Sequence, residues 1–245
     1  LEAVVRDEPA FASLPVKARV LHDGSANAIS KFQRSEEIDL IVMATHGHTG
    51  VKHFLLGSFS AKVLQVAACP VLLVRTSDDG RGASTQAFHP QRILVPHDFS
   101  KASVESLATA REMAAEFEAD VRLLHVVENH GASGGGPLEK DPDLAEYYEN
   151  VRAEAMDRLR QLIAAEWAGV SAEACVRMGH PAIEILKEAY ELPADLIVMA
   201  SRGLSVLDRI SVGSVAERIV HRAPCPVLVV KGGRERAALA EPAPS

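Results

Sequence analysis

The chain has 245 residues, of which 47% are hydrophobic, 24% charged and only 4% aromatic, with a formal net charge of −7. Such a chain builds one or two globular domains around an aliphatic core. Its acidic balance excludes the basic face that nucleic acid requires, and no apolar run approaches the roughly 18 residues of a membrane span.

Three cysteines fit a reducing compartment better than a disulfide framework. The opening stretch LEAVVRDEPAFASLP lacks a basic segment followed by an apolar one, so a secretory leader is not expected and a cytoplasmic location is. The first informative stretch runs from Asp39 to Arg75, DLIVMATHGHTGVKHFLLGSFSAKVLQVAACPVLLVR. It matches Asp195 to Lys231, DLIVMASRGLSVLDRISVGSVAERIVHRAPCPVLVVK, without gaps at a constant offset of 156 positions. One register held through a strand, a loop, a helix and another strand marks an internal duplication.

The second copy begins near Arg92 with RILVPHDFS; the same offset puts the counterpart of Arg92 about 64 residues before the first residue. The first copy, residues 1–75, therefore reads as truncated. It is expected to lack two central strands, to expose unpaired edges, and by itself to be marginally stable and bind no nucleotide. Thr76 to Gln91, TSDDGRGASTQAFHPQ, reads as a linker.

Within residues 92–231, RILVP is a short strand, and Ser100 is placed to cap the helix KASVESLATAREMAAEFEA. DVRLLHVVE is a second strand, and Ser133 to Pro137, SGGGP, lies in a loop. Asp141–Pro142 opens a long helix with Leu144, Tyr148, Val151, Ala155, Leu159 and Leu162 on one side. A third strand (AEACVRMG), a helix (HPAIEILKEAYEL), a fourth strand (DLIVMA), a helix (SVAERIVHRA) and a fifth strand (PVLVV) complete the copy, and residues 232–245 form a disordered tail. Alternating strands and helices predict a parallel sheet covered on both faces, with ligands at the carboxyl ends of the strands near the switch point.

Two loops then matter, PHDFS and ASRGLSVLDRISVGS, the latter the counterpart of ATHGHTGVKHFLLGS in the first copy. The three histidines of that stretch, His46, His48 and His53, do not make a metal site. Their spacing suits no zinc motif, and the second copy puts Arg202, Leu204 and Arg209 in their places. Both copies instead keep a glycine (Gly47, Gly203) separated by nine residues from Gly-Ser at a helix start (Gly57–Ser58, Gly213–Ser214). Free amides at a helix N-terminus bind anions, and glycine allows a phosphate close approach. Neither a Walker A motif nor GxGxxG is present.

These features, DLIVMA…G…GS…CPVLVV together with ILVPHDFS, resemble the universal stress protein family. The resemblance covers Arg92 to Lys231 and half a module before it. It implies a five-stranded doubly wound parallel sheet of the adenine nucleotide alpha hydrolase-like type, order 3-2-1-4-5, preceded by a partial copy. The ATP-binding motif of the family is Gly-x2-Gly-x9-Gly-Ser/Thr. Here it reads Ala44-x2-Gly47-x9-Gly57-Ser58 and Ala200-x2-Gly203-x9-Gly213-Ser214, with alanine first in both copies, which implies weakened rather than abolished binding.

By the same resemblance, Asp98 recognises adenine or ribose beside Pro96, and Val126 flanks adenine. Gly203, Gly213 and Ser214 bind phosphate, with Ser201, Arg202 and Val215 near them. ATP or a related adenine nucleotide is the implied ligand, with Mg²⁺ as its optional companion. The final strand of each copy starts with proline, as an edge strand can. Related modules pair through this edge, so an internal pseudo-dimer is expected and a homodimer is a further option, with Cys69 and Cys225 near the junction as buried small apolar residues. The implied function is a stress sensor or regulator. The alternatives are an interaction module that binds no nucleotide and a slow ATPase, for which His97 and His180 qualify only by residue type.

Overall fold

A strand apolar at every position needs cover on both faces. The computed structural model, which describes residues 14–45, 57–74, 88–128, 142–202 and 212–231, supplies it. The elements in chain order are α1 (Ala26–Ser35), β1 (Ile41–Ala44), α2 (Ser58–Val66), β2 (Val71–Val74), β3 (Arg92–Pro96), α3 (Lys101–Phe117), β4 (Asp120–Val127), α4 (Pro142–Glu166), β5 (Ala172–Met178), α5 (Pro181–Glu191), β6 (Leu196–Ala200), α6 (Ser214–Arg222) and β7 (Val227–Val230). The seven strands form one sheet in the order β1-β2-β7-β6-β3-β4-β5.

Five of them, β5-β4-β3-β6-β7, are all parallel and reproduce the expected 3-2-1-4-5 order. Alternate residues of each strand feed opposite cores. Ile93, Val95, Leu196, Val198, Leu228 and Val230 join one cluster with Leu107 of α3 and Leu159 of α4. Leu94, Ile197, Met199, Val227 and Val229 join the other with Ile185 of α5 and Ile219 of α6. The apolar side predicted for α4 is used as expected, with Tyr148, Val151, Ala155, Leu159 and Leu162 in the first of these clusters. Among the described residues no helix is long and apolar enough to cross a membrane.

The two copies meet through their last strands. β2 and β7 pair antiparallel, Val71 opposite Val229 and Leu73 opposite Val227. Leu64, Val71 and Leu73 enter the same core cluster as Val227 and Val229, so the core is continuous across the junction. The edge through which related modules pair is therefore occupied inside the chain. Cys69 and Cys225 are buried thiols outside any disulfide, and burial pushes the Cys225 thiol up to about 12.

The first copy contains more than its matched segment announces. α1 starts on the Ser25 cap, whose Oγ accepts the Ala28 amide at 3.2 Å. It is anchored where Ser30 donates to the Val66 carbonyl at 2.8 Å and Gln33 donates to the Ile38 carbonyl at 3.1 Å. At the 156-residue offset α1 is the counterpart of α5. Among the described residues no strand takes the places of β3 and β4 beside β1, which is the outer strand of the described sheet. Gly47, Gly203, the three loop histidines, Ser133 to Pro137 and residues 232–245, and with them the readings made for these positions, lie outside the described residues.

One charged cluster is built into the complete copy. Glu188 of α5, 1% exposed, receives Arg122 of β4 at 2.6 Å and also Arg177 of β5. Burial alone would raise its carboxyl, but the hydrogen bonds from Arg122 and Arg177 outweigh it and hold the group below its usual range. Breaking a buried pair strands charge in the interior. Urea unfolding at pH 7 should therefore show Glu188→Ala destabilised by about 3–5 kcal/mol. Glu173→Ala, which removes a partner of Arg122 that is 60% exposed, should cost less than about 1 kcal/mol.

Candidate functional site

β3 lies between β4 and β6, and the chain reverses its direction of travel across the sheet there. At such a switch point two loops separate and leave a crevice beyond the carboxyl ends. The crevice is a cavity of about 380 Å³, and eight of the predicted residues line it: Pro96, Asp98, Val126, Ala200, Arg202, Gly213, Ser214 and Val215.

Pro96 ends β3 opposite Leu124 of β4. The turn that follows is held by two hydrogen bonds. The Ser100 amide donates to Asp98 Oδ1 at 3.0 Å, and the Ser103 amide donates to Ser100 Oγ at 3.2 Å, capping α3. Asp98 thus shapes its own turn while remaining half-buried in the cavity wall. Phe99 takes a left-handed backbone, φ 61°, which costs a bulky residue energy. Its ring is offset by contacts with His97, His125 and the Arg158 guanidinium, the last 3.9 Å from the ring centroid.

The opposite wall is the start of α6. Gly213 is its N-cap and supplies no side-chain hydrogen bond. The Glu217 amide is the first to bond within the helix, to the Gly213 carbonyl at 2.9 Å. The amides of Ser214, Val215 and Ala216 precede it and have no acceptor in the helix, and all three residues line the cavity. Gly213 is fixed by donating its own amide to the Ser201 carbonyl at 2.9 Å. Ser201 is fully buried and does not face the cavity; its role is to tie the loop to β7 through a 2.9 Å bond from its amide to the Val230 carbonyl.

Comparisons with known proteins decide the family. The model of the Universal stress protein family matches residues 2–75 and 90–231. The chain belongs to the universal stress protein family. It is 39% identical over 142 residues to the universal stress protein MJ0531 of Methanocaldococcus jannaschii, covering 58% of this chain and 82% of that one. It is 30% identical over 203 residues to a universal stress protein of Mycolicibacterium smegmatis, covering 80% of this chain and 63% of that relative. The solved structure of the universal stress protein UspA from Lactobacillus plantarum superposes with a TM-score of 0.51 at 30% identity, over 59% of this chain and 99% of that one.

In the first universal stress protein copy the Gly-Ser helix start recurs. Gly57 caps α2 with no side-chain bond, its amide donates to the Thr45 carbonyl at 2.9 Å, and the Ala61 amide returns to the Gly57 carbonyl at 3.0 Å. Ser58 opens that helix, and Ala44 ends β1 with its carbonyl accepting Ser60 Oγ at 3.1 Å. A Cβ at Gly57 would meet only ordinary contact, 3.4 Å from Thr45 O, and φ −56° is open to any residue. Neither backbone nor space demands glycine there. No described residue of this copy occupies the place of β3 or β4.

Sequence reasoning singled out His97 by residue type alone and passed over His125, its neighbour in the cavity wall. His97 is 3% exposed, and burial lowers its imidazole to about 4, against the opposing pull of Asp98. His125 is lowered too, chiefly by burial. His125 Nδ1 lies 2.8 Å from the His97 carbonyl, so that nitrogen carries the proton and donates. The register Pro96 opposite Leu124 carries the signal, because it brings residues just past both positions together. His180, by contrast, is an exposed N-cap of α5 with Nε2 3.0 Å from Arg218, and it does not line the cavity.

A histidine held neutral in the folded state but titrating near 6.5 when unfolded makes stability fall as pH drops from 6.5 toward 4. Chemical denaturation at pH 7.5 and pH 5 should differ by about 2 kcal/mol from His97 alone. His97→Phe should lose markedly less between the two pH values; an equal loss would place the proton uptake elsewhere.

Proposed function

We propose that the complete copy binds ATP or a related adenine nucleotide and that the protein acts as a stress-linked sensor or regulator rather than an enzyme. One observation carries this reading: three helix-start amides and the carboxyl ends of β3 and β4 converge on one cavity. The amides of Ser214 to Ala216 suit phosphate oxygens, since a helix start presents free donors and partial positive charge. Arg202 adds a guanidinium on the same wall. Leu124, Val126, Ile185 and Met199 offer an apolar slot for a base, and Asp98 a carboxylate for ribose or the adenine edge. About 380 Å³ lies within the usual size of a small-molecule site.

The wall residues give no nucleophile next to a base, and both wall histidines are held neutral by burial. They suit binding better than proton transfer at neutral pH. Mg²⁺ would accompany a triphosphate without a dedicated carboxylate cage. The methyl of Ala200, at the first motif position, faces the cavity and favours modest affinity.

Calorimetry with ATP tests this. The wild type should bind, and Gly213→Val and Asp98→Ala should each weaken binding by about tenfold or more. Equal affinity in all three proteins would move the site, and no binding in the wild type would leave the interaction-module alternative.

A further inference from the structure

We propose that Arg158 of α4 is a positioning residue for the crevice: laid on the Phe99 ring, it clamps the turn that presents Asp98. The inference rests on the nucleotide reading above for its ligand, and on three features of the structure for its geometry. The first is the backbone. Phe99 stands between Asp98 and the Ser100 cap with φ 61°, a region that glycine enters freely and a bulky residue rarely does. Such a conformation persists where its surroundings over-determine it.

The second feature is what surrounds the ring. It meets His97 edge-on, with centroids 5.2 Å apart and planes at 86°, and it lies 4.5 Å from the His125 ring at 40°. The Arg158 guanidinium covers it at 3.9 Å from the centroid. A cation at that distance is attracted by the negative face of the ring. Burial holds both imidazoles neutral at pH 7, so neither adds a charge that would repel the guanidinium. One side chain thus joins the end of β3, β4 and α4 directly beside Asp98.

The third feature is the placement of Arg158. Val151, Ala155, Leu159 and Leu162 pack α4 into the core and fix its rotation. Arg158 is exposed and does not line the crevice, whereas Val151, two turns before it on the same helix, does. Arg158 therefore acts on the site through Phe99. Glycine at position 99 would take the turn without strain but leave α4 nothing to hold. With phenylalanine there, the direction of the Asp98 carboxylate depends on how α4 is seated. Asp98 Oδ1 accepts the Ser100 amide at 3.0 Å, and that bond reports the geometry of the turn.

Two readouts test the clamp, one of them without nucleotide. Arg158→Met keeps the reach of the side chain and removes the cation. Hydrogen exchange of the Ser100 amide should quicken by about two- to fivefold in this variant, with the Gly213 amide on the opposite wall unchanged. Calorimetry with ATP should show a similar loss of affinity, and a smaller one in Arg158→Lys, which keeps a cation. In an Asp98→Ala background Arg158→Met should cost nothing further, because the clamp acts through that carboxylate. Should the wild type bind no ATP, the nucleotide reading falls and the exchange measurement alone decides the clamp. The proposal is overturned if Ser100 exchange is the same in Arg158→Met and the wild type, or if Gly213 quickens equally. It is also overturned if Arg158→Met weakens ATP binding as much without Asp98 as with it.

Discussion

The site rests on one adjacency, the pairing of β3 with β6 at Ile93–Leu196 and Leu94–Ile197. These four side chains are fully buried, and each such burial contributes about 1.5–3 kcal/mol. Because β3 sits between β6 and β4, its carboxyl end brings the Asp98 turn against the α6 start. Without that pairing the helix-start amides and the Asp98 turn would stand apart, and the crevice would have one wall. The Asp195 carboxylate, bonded to the amides that open β3, sets where the strand begins.

The first copy is the internal control for this argument. Its helix start reproduces the second in detail, from the Gly57 amide on Thr45 to the Ala61 amide on Gly57. It repeats the helix start, and none of its described residues stands in the place of β3. Its stability is borrowed. β2 lies against β7, and Leu64, Val71 and Leu73 share a core with the complete copy. Exposure of Leu40 and Val42 forfeits burial energy that Leu196 and Val198 collect. The helix start is thus separable from the crevice, and the fold, rather than the glycine spacing, brings the second wall to it.

Much of this was legible in the residues. The aliphatic runs RILVP, DLIVMA and PVLVV are strands because two-sided burial leaves no place for polar residues, and the gapless repeat gave the relation between copies. Eight of the ten nucleotide-site positions assigned to the complete copy line one cavity because strand ends and a helix start are local features. The rest depends on neighbours far apart in sequence. His97 and His125 come together only through the β3–β4 register. Phe99 has a left-handed backbone, and its ring lies against Arg158 of α4 and both histidines, residues distant in sequence. Glu188 looks like a solvent-facing helix residue until Arg122 and Arg177 close over it. α1 escaped notice because the first copy diverges from the second before Asp39.

The central claim is that one complete crevice, not the number of Gly-Ser helix starts, determines nucleotide capacity. Native mass spectrometry of the protein with saturating ATP tests it directly. One nucleotide per 245-residue chain is predicted; two per chain would show that the first copy binds without β3 and β4 and would contradict the account.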